Sequence, residues 1–279
     1  MWGVEHGVNE AGVAIGNETI YTTLDPRPFP PALTGMDLVR LGLERGATAR
    51  DALDAMTGLL ERYGQGGTGH LGSERPYWSS FLVADPSEAW VLETSGRQWE
   101  AEQVDTVRAI SNRTTIPSFD AAHRHPRQPV TTLVDPRWVA SRRVLATAPV
   151  SVADLISHLR SHAGGDDGWT ICMHVEGVEV TTAAMVAELG APAEPARPTR
   201  FLLGSPCSSV FVPLFVHRPL GLPVRWDRLA RLTPAARSAL DALERDLEAD
   251  ARDDDDWAFE AWRRVDRVLA TLEEGPEGR

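Results

Sequence analysis

Cys172 and Cys207 are the only thiols among the 279 residues. A thiol becomes a nucleophile when a neighbouring base or cation favours its thiolate. Cys172 lies in WTICMH, where an apolar strand position predicts a buried hydrophobe. Cys207 follows the turn-forming Ser205 and Pro206 and should be more exposed. No obvious base precedes either in sequence. Two cysteines supply neither a disulfide framework nor the repeated Cys/His spacing of structural zinc. Among the histidines, His6 adjoins Glu5, and neighbours in a strand point apart. His123 and His125 occupy a proline-rich loop with no carboxylate at a helical offset. No metal site and no cofactor are therefore expected. A G-x-S-x-G elbow is also absent, GSPCSS at 204–209 being the nearest stretch, which argues against a serine triad.

The asparagines say more. Asn17 in IGNETI and Asn112 in ISNRTT each follow a short apolar run, where the chain leaves a strand. An amide there can aim donors into a cleft, or simply cap a turn.

The elements around these residues follow from periodicity. Two short strands with a turn at Asn9 to Gly12 are expected in the opening stretch, and helices over Met36 to Arg45 and Thr48 to Tyr63. Thr48 can cap the second helix, and Asp51 favours its positive end. QGGTGHLG at 65–72 reads as a flexible loop. Apolar runs at 81–83 and 89–92 around Asp85-Pro86-Ser87-Glu88 predict a hairpin. Strands are expected at 107–111, 171–174 and 208–215, and helices at 152–161 and 182–189. From 233 to 272 the chain reads as helical and acidic, broken near Asp253 to Asp256, a solvated run. This mixture without regular βαβ alternation predicts an α+β protein.

Composition narrows the function. A net charge of -12 argues against nucleic-acid partners, since these bind clustered Lys and Arg. No apolar run of membrane-spanning length and no signal-like N-terminus occur, so a cytoplasmic protein without a membrane partner is expected.

Four stretches, MWGVEHGVNEAGVAIGNE, YWSSFLVADPSEAWVLETSGRQW, AISNRTTI and GSPCSSVFVP, run in order through the chain and resemble secernins and the related bacterial cysteine dipeptidases. The resemblance implies an N-terminal-nucleophile hydrolase fold, an αββα sandwich of two antiparallel sheets between helical layers, over residues 1–225. Residues 226–279 then form an acidic helical extension. The activity it implies is hydrolysis of a small peptide or other amide by a terminal cysteine whose own α-amine is the base. It also implies oxyanion-side roles for Asn17 and Asn112, and for Arg142, in SRRVL, a place beside the nucleophile. The family's nucleophile lies before the WG-x-E stretch, so Met1 reads as an internal methionine and the chain as N-terminally truncated. An inactive hydrolase is expected, with an open strand edge near Asn17, and the three side chains should share one cleft. The alternative is a non-catalytic binding or regulatory protein. A homo-oligomer is compatible with either.

Overall fold

The computed structural model describes residues 2–69, 75–127, 130–147, 149–190, 196–221 and 237–273. Contacts divide the chain into two compact units, Met1–Ala146 with Leu189–Glu194, and Thr147–Glu188 with Pro195–Arg279. The expected boundary at 225/226 lies outside the described residues.

The first unit is an antiparallel meander, β1 (His6–Val8), β2 (Ala14–Ile20), β3 (Trp78–Ala84), β4 (Ala89–Ser95) and β5 (Gln98–Gln103), in that spatial order. Asn9 makes the first turn, its Oδ1 accepting from Val13 N at 2.9 Å. Asp85 makes the third, accepting from Ser87 N at 2.6 Å and Glu88 N at 2.9 Å. Both hairpins stand where the turn residues put them. α1 (Gly35–Arg45) and α2 (Ala49–Tyr63) cover one face, with Leu38, Val39, Leu53, Met56 and Leu60 packed on Ile15, Phe81, Val83 and Leu92. Each such side chain contributes about 1.5–3 kcal/mol by burial. Thr48 caps α2 as expected, accepting from Asp51 N at 3.1 Å. Asp85 adds a bond from Ala49 N at 2.7 Å and so ties the hairpin to the helix.

Beyond α2 the expected loop at 65–72 is more fixed than its glycines suggest. Gln65 is buried, its Nε2 donating to Ser79 Oγ at 3.0 Å and its Oε1 accepting from Thr94 at 2.7 Å. Residues 70–72 lie outside the described part. On the opposite sheet face, Ile20, Trp78 and Val91 pack against Ile116 and Phe119, the latter on α3 (Pro117–His123). α4 (Asp135–Leu145) follows. The expected strand at 107–111 is irregular chain instead, apart from an isolated bridge between Ser111 and Arg113.

In the second unit α5 (Val152–Leu159) is followed by the short pair β6 (His174–Val175) and β7 (Glu179–Val180). A second antiparallel sheet follows, β10 (Val212–Leu214), β9 (Thr199–Leu203) and β8 (Ala183–Ala187) in spatial order. The helix expected at 182–189 is thus a strand. Its alanine-rich TTAAMVAEL has helical propensity, but pairing with 199–203 and burial of Ala184 and Val186 override it. Residues 171–172 are bends and 173 is irregular, so that expected strand shrinks to β6, and 208–215 shrinks to β10. α6 (Arg237–Asp250) and α7 (Trp257–Glu273) bury Leu243, Leu247, Trp257, Val265 and Leu269 against Val212 and Leu214. The break between them falls at the expected acidic run, where Asp253 pairs with Arg218 at 2.7 Å. Every pairing between described strands is antiparallel, in keeping with an α+β protein.

Candidate functional site

A row of polar side chains in the first unit lies on the sheet face away from α1 and α2. Register sets Glu18 opposite Ser80 and Ser80 opposite Glu93, so the three side chains form one row on that face. The two glutamates are separated by two strand spacings, about 10 Å. Ser80 Oγ is buried with no hydrogen-bond partner among the described residues. Desolvation pushes both carboxyls up to about 7, partly opposed at Glu18 by the Arg137 charge and at Glu93 by hydrogen bonds from Thr115 and Ile116. Glu93 is committed to structure, since it accepts from Thr115 N at 2.5 Å, Thr115 Oγ1 at 2.9 Å and Ile116 N at 3.3 Å. These bonds fasten the irregular chain that carries Asn112.

Asn112 reaches across to β2. Its Nδ2 donates to Thr19 O at 3.1 Å and to Glu18 Oε2 at 3.4 Å, while its Oδ1 accepts from Arg137 Nη2 at 3.1 Å. Glu18, Asn112 and Arg137 therefore form a carboxyl–amide–guanidinium set. A carboxyl titrating near neutrality can move a proton, and the neighbouring cation can steady negative charge on a bound carbonyl or carboxylate.

The expected meeting of Asn17, Asn112 and Arg142 does not occur. Asn17 pairs in register with Phe81, which packs under α1 and α2, so strand alternation turns it to the other face from Glu18. Its Nδ2 donates to Glu5 O at 2.8 Å, and its Oδ1 lies beside the tight start of α1 at Gly35. Arg142 is exposed and stacks on Trp138, 4.8 Å from the ring centre. The guanidinium beside Asn112 is that of Arg137, five residues earlier on α4. Sequence reading missed Arg137 and Glu18. Glu18 was within reach, since it directly follows Asn17 in a strand and so must face the opposite way.

Of the histidines weighed as ligands, His6 is half-buried, and burial lowers its pKa despite the Glu5 charge. His123 lies against Phe119, with 4.3 Å between ring centres. His125 Nδ1 accepts from Arg127 N at 3.1 Å.

In the second unit His162, Cys172, His174 and Cys207 come together, one ligand atom from each lying within 4.8 Å of all the others. His174 Nε2 is 3.4 Å from Cys172 Sγ and 3.2 Å from Cys207 Sγ. Cys172 is buried and Cys207 less so, as their sequence contexts suggest. No base immediately precedes either cysteine, but His174, two residues after Cys172, lies against both thiols.

No described helix is long and apolar enough to cross a membrane. Residues 2–134, just under half the chain, match the model of Peptidase family C69, which includes dipeptidases and secernin-like proteins. The match spans the whole five-stranded sheet, α1 to α3, Glu18 and Asn112, and ends one residue before α4.

Proposed function

We propose, from the match of residues 2–134 to the model of Peptidase family C69, that the chain carries the body of a cysteine amidohydrolase of dipeptidase type, with a secernin-like N-terminal-nucleophile architecture. The observation that carries this is the coincidence of the family match with the sheet face that holds Glu18 and Asn112, which α4 completes with Arg137. In this reading a terminal cysteine loses its thiol proton to its own α-amine and attacks the amide carbonyl. The amine then returns the proton to the leaving nitrogen, and water hydrolyses the thioester. Asn112 and Arg137 face the substrate. Asn17 fastens the junction of β1, β2 and α1, and Arg142 acts only through Trp138.

Cys172 and Cys207 are internal and carry no free α-amine, so neither can take the nucleophile's part. The 279-residue chain should therefore show no thiol-dependent turnover. The test is dipeptide hydrolysis by this chain and by an N-terminally extended form whose first residue is cysteine. Alkylation-sensitive turnover in the extended form alone is expected. Alkylation-insensitive turnover by the 279-residue chain would overturn the reading, and dipeptide binding without turnover by either form would favour a regulatory protein.

A further inference from the structure

The gathering of both cysteines with two histidines in the second unit has no part in that chemistry. We propose that His162, Cys172, His174 and Cys207 form a Cys2His2 site for a zinc-class divalent metal, one that holds the second unit together.

The donor set suits the ion. Tetrahedral zinc takes thiolate at about 2.3 Å and imidazole at about 2.0–2.1 Å, which puts neighbouring ligand atoms roughly 3.3–3.8 Å apart. The two sulfur–nitrogen distances of 3.4 and 3.2 Å already lie near that range, and the widest separation in the group is within 4.8 Å. A contraction of about 1 Å at the widest edge brings all four donors onto one centre. The rings of His162 and His174 are steeply inclined, at 80° with centres 5.2 Å apart, so their nitrogens can approach a shared ion without stacking.

The ligands come from three segments that are fixed independently of any ion. Cys172 N donates to Ser161 O at 2.9 Å and Ile171 N to Ala163 O at 3.1 Å, which joins the His162 segment to the Cys172 segment. Met173 N donates to Thr181 Oγ1 at 2.9 Å, and Ser205 Oγ to Thr181 O at 2.9 Å, which brings in the turn before Cys207. Arg160, held by Glu244 at 2.6 Å, donates to Pro206 O at 3.0 Å. A loop position on each side of the site is thereby set before metal arrives, as a preorganised site requires.

Charge argues for a cation over a thiol–imidazole dyad. A dyad activates one thiol with one imidazole, which a third group orients. Here one Nε2 lies between two sulfurs, and a second imidazole closes the group. Two thiols and two imidazoles thus converge on one point. A divalent cation is what turns that set into thiolates and neutral donors. With four protein ligands the site has no open position, so its role is structural and both thiols are withdrawn from catalysis.

The test uses the full chain, purified with reductant and without added chelator. We expect about one equivalent of zinc by elemental analysis. After exchange, cobalt(II) should give the intense visible bands of a tetrahedral ion with thiolate-to-metal charge transfer. Cys207→Ser and His162→Ala should each weaken zinc at least about tenfold in competition with a chromophoric chelator, whereas His123→Ala should not. His162 is exposed, so its variant keeps the test readable if the cysteine variant folds poorly. A reduced chain that takes up neither zinc nor cobalt stoichiometrically would overturn the proposal. So would a Cys172–Cys207 disulfide as the state of the chain freshly isolated from cells.

Discussion

At Glu18 the sheet face keeps a carboxyl that burial makes reluctant to ionise. Its pKa rises from 4.5 to about 7 on folding. Between those values the folded chain holds a proton that the unfolded chain has released, so stability falls as pH rises from about 4.5 to about 7 and then levels. Glu93 adds to the same slope. Glu18→Gln should remove its share, leaving a variant more stable than the parent above about pH 7 by on the order of 1–3 kcal/mol and similar to it near pH 4.5. Urea unfolding across that range checks this; an unchanged slope would mean that Glu18 is solvated. Arg137 and Arg142 separate equally cleanly. Arg137→Ala removes the cation that opposes the Glu18 shift, so the Glu18 carboxyl should titrate higher still by carbon NMR. Arg142→Ala, which loses its stack on Trp138, should leave that midpoint in place.

At the scale of elements, Asp85 does more than its turn requires. Burial alone would raise its pKa, but three bonds from the N–H groups of Ala49, Ser87 and Glu88 outweigh this and hold it below 3.8. Asp85→Ala leaves those donors unpaired and should cost about 1–3 kcal/mol, more than the roughly 1 kcal/mol expected for Thr48→Ala, which frees one donor. Because the folded pKa is depressed, the Asp85 contribution is present above about pH 3.8 and is lost as pH falls through the lower folded value. Thermal melts of the two variants near neutrality rank the effects, and equal losses would contradict the bridging role.

The turn half of this device is legible in Asp85-Pro86-Ser87-Glu88, while the helix half depends on two elements 36 residues apart. The same contrast explains the other successes and failures. β2, β3, β4, α1 and α2 carry their own alternation or heptad-like spacing. β8 lacks such a signal, because its strand state is set by β9 and its composition favours a helix. The Cys2His2 group was invisible for the related reason that its ligands stand at 162, 172, 174 and 207, with no repeat in their spacing. Asn112 was singled out through its motif. Its partner Arg137 was not, because no motif carries it.

On the scale of the whole chain, the two units divide the chemistry. The family match and the Glu18–Asn112–Arg137 set fall in the first, and both thiols fall in the second. Under the proposed function the nucleophile is a terminal cysteine, and removing the attacking group of a covalent hydrolase costs on the order of a million-fold in turnover, so neither Cys172 nor Cys207 should become acylated. The most direct measurement is mass spectrometry of the acyl-enzyme formed when the extended form, beginning with cysteine, is mixed with a slowly hydrolysed dipeptide ester. The account predicts a thioester on that first residue alone, with none on Cys172 or Cys207. An acyl group on either internal cysteine, or steady hydrolysis with no acylated cysteine at all, would contradict it.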